Sequence, residues 1–222
     1  MLDSLGTQTR IAQGIYGKGS GHGEGTRQPV ARLAAFAIAM EVCDPALGAH
    51  AARVAANAEA VAERLGWSED RLAGLRLGAA LHDVGKVNVR PEVLTKEGRL
   101  DALEIAEIRA HPVEGTWLLA GVPSLAPALP YVLFHHERWD GLGYPTRRAG
   151  ETIPLEGRIL AVVDAFDAMT SSRPYRPSRS PSEAADEVRR CAGTQFDPNV
   201  AHAFLEALDA GEISWCGPAV AA

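Results

Sequence analysis

Cysteine is scarce in this chain: Cys43, Cys191 and Cys216 are all that 222 residues contain. They are far apart, odd in number and form no C-x-x-C pair. That excludes a disulfide scaffold and a zinc ribbon, and it fits a reducing compartment. The pattern reads as two core thiols and one in a tail. Aromatics are few, at 6%, while Ala and Leu are abundant, which favours helices over sheet. No segment alternates with period two between hairpin turns, and no repeat recurs at a fixed period. No apolar run approaches the roughly 18 to 20 residues that cross a bilayer. The N-terminus lacks a basic patch followed by an apolar stretch, so no secretory leader is expected and the cytoplasm is the default compartment. A basic excess is missing too: 22 Lys and Arg stand against 28 Asp and Glu, a formal charge of -6. Coating a nucleic-acid polymer by phosphate neutralisation is therefore not expected. A local basic pocket can still hold one anionic ligand.

What is present is helical periodicity. Residues 1–28 stand apart, with glycine at nearly every second position of Gly14–Gly25, and read as a flexible lead-in. They contain no phosphate-loop pattern, and His22 within them reads as a solvated loop histidine. From Pro29 the segment PVARLAAFAIAMEVC is apolar nearly all round, the mark of a buried helix. Leu47, His50, Val54, Ala58, Val61 and Leu65 then fall at steps of three or four along a helix that Gly66 closes. The next segment, SEDRLAGLRLGAALHDVGK, opens with Ser68 as a cap. Its apolar face runs through Leu72, Leu75, Leu77, Ala80, Leu81 and Val84. Further helices are expected on either side of His111, in LAPALPYVLFHHERW, in EGRILAVVDAFDAMTSS, and over residues 181–193 and 197–210. The fold class is all-α. Residues 29–210 read as one domain and 211–222 as an irregular tail.

Several polar groups sit where these helices should be apolar. His82 and Asp83 interrupt ALHDVGK, His135 and His136 follow YVLF, and Asp164 lies inside ILAVVDAF. Burying an imidazole or a carboxylate there costs several kcal/mol unless it is paired or bound to metal. A lone histidine of this kind is more often a hydrogen-bonded core residue. With His50 and His111 added there are seven such groups, and one metal centre accounts for all of them together. Imidazoles and carboxylates without thiolates suit iron, manganese or zinc in an open catalytic site. Seven ligands exceed one tetrahedral ion and fit two ions sharing a carboxylate, an arrangement that cleaves phosphoesters.

At these residues the chain resembles a known family. His82-Asp83-Val84-Gly85-Lys86 resembles the HD-x-G-K core of HD-domain phosphohydrolases, a signal of moderate specificity. HHERWDGLGYP, from His135 to Pro145, is similar to the HHE-x-x-DG-x-GYP segment of the HD-GYP cyclic di-GMP phosphodiesterases and is far more specific. IPLEGRILAVVDAFDAMTSSRPYR and GTQFDP follow in the expected order, so the resemblance covers about residues 31–209. It implies an HD-domain helical bundle with a GYP substrate loop. It implies one divalent ion on His50, His82, Asp83 and Asp164, and a second on His111, His135 and His136, with Asp83 bridging. Iron or manganese is the implied metal, with zinc possible. Some members hold a third ion with a glutamate one turn before the first histidine. That position is Ala46 here, so two ions are expected.

The same resemblance makes the loop with Tyr144 a substrate-recognition element and Arg173 and Arg176 dinucleotide contacts. Asp83 acts in catalysis as the bridging ligand, and Lys86, one helical turn beyond His82, can face the same site and offset charge on the phosphate. It implies hydrolysis of cyclic di-GMP to linear pGpG, and GMP from a second cut, by a hydroxide between the ions. The glycines of the loop permit close ligand approach, and Tyr144 is suited to stack on a base. Arginines at 173 and 176 suit bidentate phosphate contacts or guanine stacking. Two other readings stay open: a phosphohydrolase for another nucleotide, and an inactive sensing or docking domain. Signalling-protein partners, oligomeric state and regulatory input are not legible.

Overall fold

The computed structural model describes the backbone of residues 45–172 and 178–216, and side chains from residue 48 onward. The glycine-rich lead-in, the helix expected from Pro29, Cys43, Arg173, Arg176 and the end of the tail lie outside the described residues. Among the described residues every regular element is a helix. Their order is α1 (Pro45–Arg64), α2 (Glu69–Leu81), α3 (Pro91–Leu94), α4 (Ala102–Arg109), α5 (His111–Ala120), α6 (Leu129–Phe134), α7 (Leu155–Thr170), α8 (Pro181–Cys191) and α9 (Pro198–Asp209). Short 3-10 turns occupy Val84–Asn88, Pro123–Ala128 and Gly150–Thr152. The all-α expectation is met.

The main core forms where α1, α2, α7, α8 and α9 converge. From α1 come Val54, Ala58 and Val61, on the face anticipated from spacing; all are fully buried. Gly66, at φ +76, ends that helix as expected, and Trp67 N–H returns to the Ala62 carbonyl at 3.0 Å. The centre of the core is α7, which buries Ile159, Leu160, Val162, Val163 and Phe166. Phe166 meets Phe204 of α9 with ring centroids 4.9 Å apart. Each such side chain contributes roughly 1.5–3 kcal/mol by leaving water. Within this apolar stretch of α7, Asp164 and Asp167 stand three apart and so on neighbouring positions of one face.

Three local expectations need correction. Ser68 stands at the N-cap of α2 with extended backbone, but its side chain makes no capping bond. Its carbonyl accepts from Arg71 and Leu72 instead. Ala80 is exposed, and Gly78 and Ala79 take the inner face. The helix also does not continue through Lys86: α2 stops at Leu81 and the chain tightens into the 3-10 turn from Val84. Among the described residues after α9, up to 216, no helix follows. This segment is nonetheless docked, with Ile213 buried and Ser214 exchanging two hydrogen bonds with Asn57 of α1 at 2.7 and 2.8 Å.

Gly85 shows why α2 must break there. A Cβ at this position would lie 1.9 Å from the His111 carbonyl oxygen and 2.5 Å from the Gly115 amide nitrogen. Only glycine lets the 3-10 turn press on the start of α5. Gly85→Ala is expected to force these backbones apart and to cost about 1–3 kcal/mol or more. At about 2–4 °C per kcal/mol for a chain of this size, that is a visible drop in melting temperature. Metal content should fall with it, because His111 moves. A variant melting within about 1 °C of the parent would contradict this packing.

A candidate metal centre of histidines and carboxylates

The site forms where five chain segments meet. His50 projects from α1. His82 and Asp83 follow the last residue of α2. His111 opens α5, with Pro112 fixing the first turn. His135 and His136 follow α6, and Asp164 comes from α7. Helix ends suit this use because a side chain just past the last turn can turn inward while the backbone leaves.

The hydrogen bonds fix where the imidazole protons lie. His82 Nδ1 is 2.7 Å from the Ala79 carbonyl oxygen. His111 Nδ1 is 2.7 Å from that of Ile108, and His135 Nδ1 is 3.0 Å from that of Val132. A carbonyl oxygen only accepts, so each Nδ1 carries a proton, and in its neutral form each ring presents an Nε2 lone pair. Those lone pairs converge on Asp83. His111 Nε2 lies 3.2 Å and His135 Nε2 3.8 Å from Asp83 Oδ1, and His82 Nε2 lies 3.5 Å from Oδ2. His111 Nε2 and His135 Nε2 face each other at 3.2 Å. The three imidazoles are buried, and neither His82 Nε2 nor Asp83 Oδ1 finds a hydrogen-bond partner. Acceptors crowded on acceptors, out of water, repel unless a cation lies among them. The donor set thus fits divalent metal.

Two overlapping groups have their ligand atoms within 4.8 Å of one another: Asp83 with His111, His135 and His136, and Asp83 with His50 and His82. Asp83 is common to both. Asp164 Oδ1 stands 3.5 Å from His50 Nε2 and 4.0 Å from His82 Nε2, beside the second group. All seven residues singled out in the sequence are therefore brought together. Burial pushes His135 well below the usual histidine range and His136 down to about 4, so both are neutral donors near pH 7. Burial alone would raise the Asp83 carboxyl. Lys86 and the imidazoles outweigh it and hold the group well below the usual range. Lys86 Nζ contacts Asp83 Oδ2 at 2.5 Å, from the 3-10 turn rather than from a continued helix.

Asp167 was not among the residues anticipated. It is buried on α7 and accepts from His50 Nδ1 at 2.6 Å and from Arg53 Nε at 2.6 Å. The first bond orients the His50 ring so that Nε2 faces Asp164. Burial opposes protonation of His50, but Asp167, Asp164 and Asp83 outweigh it and raise its pKa. The signal was the second aspartate of DAFD, one turn beyond Asp164.

The GYP loop is held over this cluster. Buried Glu137 accepts through Oε1 from the Thr146 amide at 2.6 Å, the Thr146 hydroxyl at 2.7 Å and the Arg147 amide at 3.0 Å. The Tyr144 amide donates to the His136 carbonyl at 3.1 Å, and the Tyr144–Pro145 peptide is cis. A Cβ on Gly143 would fall 2.4 Å from the Arg138 amide nitrogen, so the close approach requires glycine. The Tyr144 ring stacks on His136, centroids 4.8 Å apart and 25° between planes. Burial pushes its hydroxyl pKa upward. GTQFDP braces the loop from below: Trp139 N–H donates to the Gln195 carbonyl at 3.0 Å and Asp140 N–H to that of Thr194 at 2.8 Å. Asp197 caps α9 and pairs with Arg158 at 2.6 Å. A cavity of about 310 Å³ opens between the loop and the cluster, lined by His135, His136, Tyr144, Asp164, Arg109 and Arg138 among others.

A profile of the HD domain family matches residues 36–200. The chain is 39% identical over 184 residues to the cyclic di-GMP phosphodiesterase response regulator RpfG of Xanthomonas campestris, covering 82% of this chain and 48% of that protein. It is 38% identical to a cyclic di-GMP phosphodiesterase of Vibrio cholerae, over 92% of this chain and 42% of that one. A 3'3'-cGAMP-specific phosphodiesterase of the same organism is 35% identical, with 78% and 34% covered. The chain spans about half the length, or less, of these curated relatives. Among solved structures, an HDG"Y"P protein from Bdellovibrio bacteriovorus superposes with a TM-score of 0.59 at 17% identity, over 92% of this chain and 70% of its own. With the profile running through the helices that bring His82 and Asp83 to the cluster, the chain belongs to the HD domain family, in its HD-GYP branch.

Proposed function

We propose that this protein is a metal-dependent phosphodiesterase that opens cyclic di-GMP to linear pGpG, with GMP the product of a second cut. The observation that carries the reading is the convergence of three imidazole Nε2 atoms on the partly buried Asp83 carboxylate. The names of the relatives in Xanthomonas campestris and Vibrio cholerae support the substrate class. His50, His82 and Asp164 would hold one ion and His111, His135 and His136 the other, with Asp83 bridging. Two bound divalent ions lower the pKa of a water between them and offset charge on a phosphate. Lys86, tethered to Asp83, adds a fixed positive charge where the phosphate enters. Tyr144, at the cavity wall, is proposed to contact the dinucleotide through its hydroxyl and ring edge, and Arg173 and Arg176 as further contacts. Iron or manganese suits the donor set best, and zinc is compatible. The setting proposed is cytoplasmic signalling; among the described residues no helix is long and apolar enough to cross a membrane.

Anaerobically purified protein should carry two metal equivalents per chain and turn over cyclic di-GMP. Stripping the metal with a chelator should abolish turnover, and adding back ferrous or manganous ion should restore it. Three equivalents would contradict the two-ion reading, which rests on Ala46 having no donor atom. Full metal content without hydrolysis would favour a sensing role. The 3'3'-cGAMP-specific relative makes that dinucleotide the second substrate to compare, and a higher kcat/KM for it would reassign the specificity.

A further inference from the structure

Arg109 ends α4, two residues before His111, and lines the cavity beside His136, Tyr144 and Asp164. Its guanidinium lies over the Tyr144 ring, Cζ 5.3 Å from the centroid. Tyr144 in turn stacks on His136, so the charge stands one ring away from the ligand cluster. Among the described residues the Arg109 side chain has no hydrogen bond or ion pair. The contrast is with Arg138, which lines the same cavity but has its charge met by Asp140 at 2.6 Å. An arginine held over an aromatic face keeps its N–H fork available for an anion.

We infer that Arg109 is a substrate-binding residue that holds the second, uncleaved phosphodiester of a cyclic dinucleotide. This rests on the proposed function. Such a substrate carries two phosphodiester charges. The metal cluster and Lys86 answer the one being cleaved. Among the described cavity residues, Arg109 is the cation left uncommitted on the far side of the Tyr144 ring. A phosphodiester there receives charge-assisted hydrogen bonds from the guanidinium. Because this group is remote from the reacting phosphorus, its contribution is to binding rather than to the chemical step.

The test uses the full chain, metal-loaded, as wild type, Arg109→Ala and Arg109→Lys. Substrates are cyclic di-GMP and bis(p-nitrophenyl) phosphate, which has a single phosphodiester, with cyclic di-AMP as competitor. For Arg109→Ala, KM for cyclic di-GMP should rise about tenfold with kcat within about twofold. The inhibition constant of cyclic di-AMP should rise as much, and Arg109→Lys should recover part of the loss. Turnover of bis(p-nitrophenyl) phosphate should stay within about twofold. An unchanged KM overturns the inference. So does an effect on cyclic di-GMP but not on cyclic di-AMP, which marks a base contact. So does an equal loss with bis(p-nitrophenyl) phosphate, which marks damage to the metal cluster. If wild type cleaves bis(p-nitrophenyl) phosphate but binds cyclic di-GMP without cleaving it, the proposed function fails. The Kd of Arg109→Ala then decides the arginine separately. A wild-type chain that neither binds nor cleaves cyclic dinucleotides overturns both.

Discussion

Asp83→Ala is expected to reduce hydrolysis of cyclic di-GMP by at least about a thousandfold, equivalent to about 4 kcal/mol of transition-state stabilisation, while the helical fold persists. The carboxylate is the one residue shared by both groups of candidate ligands. Its Oδ1 faces His111 and His135, and its Oδ2 faces His82 and Lys86. Removing it takes a donor from each proposed ion at once and leaves three buried imidazoles aimed at one another. It also frees Lys86, so the charge meant for phosphate loses its anchor. Asp83→Asn keeps the shape but replaces one oxygen with an N–H donor, and it should lose nearly as much activity. Circular dichroism and melting separate a lost centre from a lost fold, and metal analysis reports occupancy. Near-wild-type turnover by Asp83→Ala with both metals retained would sink the two-ion reading.

The parts of this site that were legible in the sequence are those where a polar residue violates an apolar pattern. His82, His135 and Asp164 each interrupt a run that packs in the core, and the cost of burial there makes a compensating partner necessary. The helices were legible for a related reason: Val54, Ala58 and Val61 recur at helical spacing and are the residues α1 buries. Asp167 and Arg109 escaped for opposite reasons. Asp167 lies in the same apolar run as Asp164, but its partners His50 and Arg53 are more than a hundred residues away, so pairing is not visible from local spacing. Arg109 ends a short helix, where a basic residue ordinarily favours the macrodipole and faces water. Only the fold places it above Tyr144. The break of α2 before Lys86 was likewise tertiary. Gly85 permits it, but the reason for it is the backbone of α5 pressing from the other side.

The second large effect is expected at Asp167, where stability and metal binding should fall together. Asp167→Ala removes a buried carboxylate and leaves the Arg53 guanidinium and the His50 Nδ1–H without their acceptor. Breaking such a buried pair from one side costs about 3–5 kcal/mol. For a chain of this size that lowers the melting temperature by on the order of 10 °C. Freed from Asp167, the His50 ring loses its fixed tautomer and orientation. Loss of a partner of this kind weakens metal binding about 10- to 100-fold. The pH dependence follows from the same contacts. Burial would raise the Asp167 carboxyl, but hydrogen bonds and charge from His50 and Arg53 outweigh it and lower its pKa to about 2. A group whose folded pKa is depressed stabilises the fold above its unfolded pKa. That contribution is fully present near pH 7 and lost only as pH falls through the acid range toward about 2. The melting difference between wild type and Asp167→Ala should therefore shrink below about pH 5, as the carboxylate is protonated. Asp167→Asn separates the two roles. One amide oxygen can still accept from His50 while Arg53 loses its counter-charge, so metal affinity should recover further than melting temperature does. Equal recovery of both, or neither, would mean that Asp167 only packs the core and does not orient the ligand.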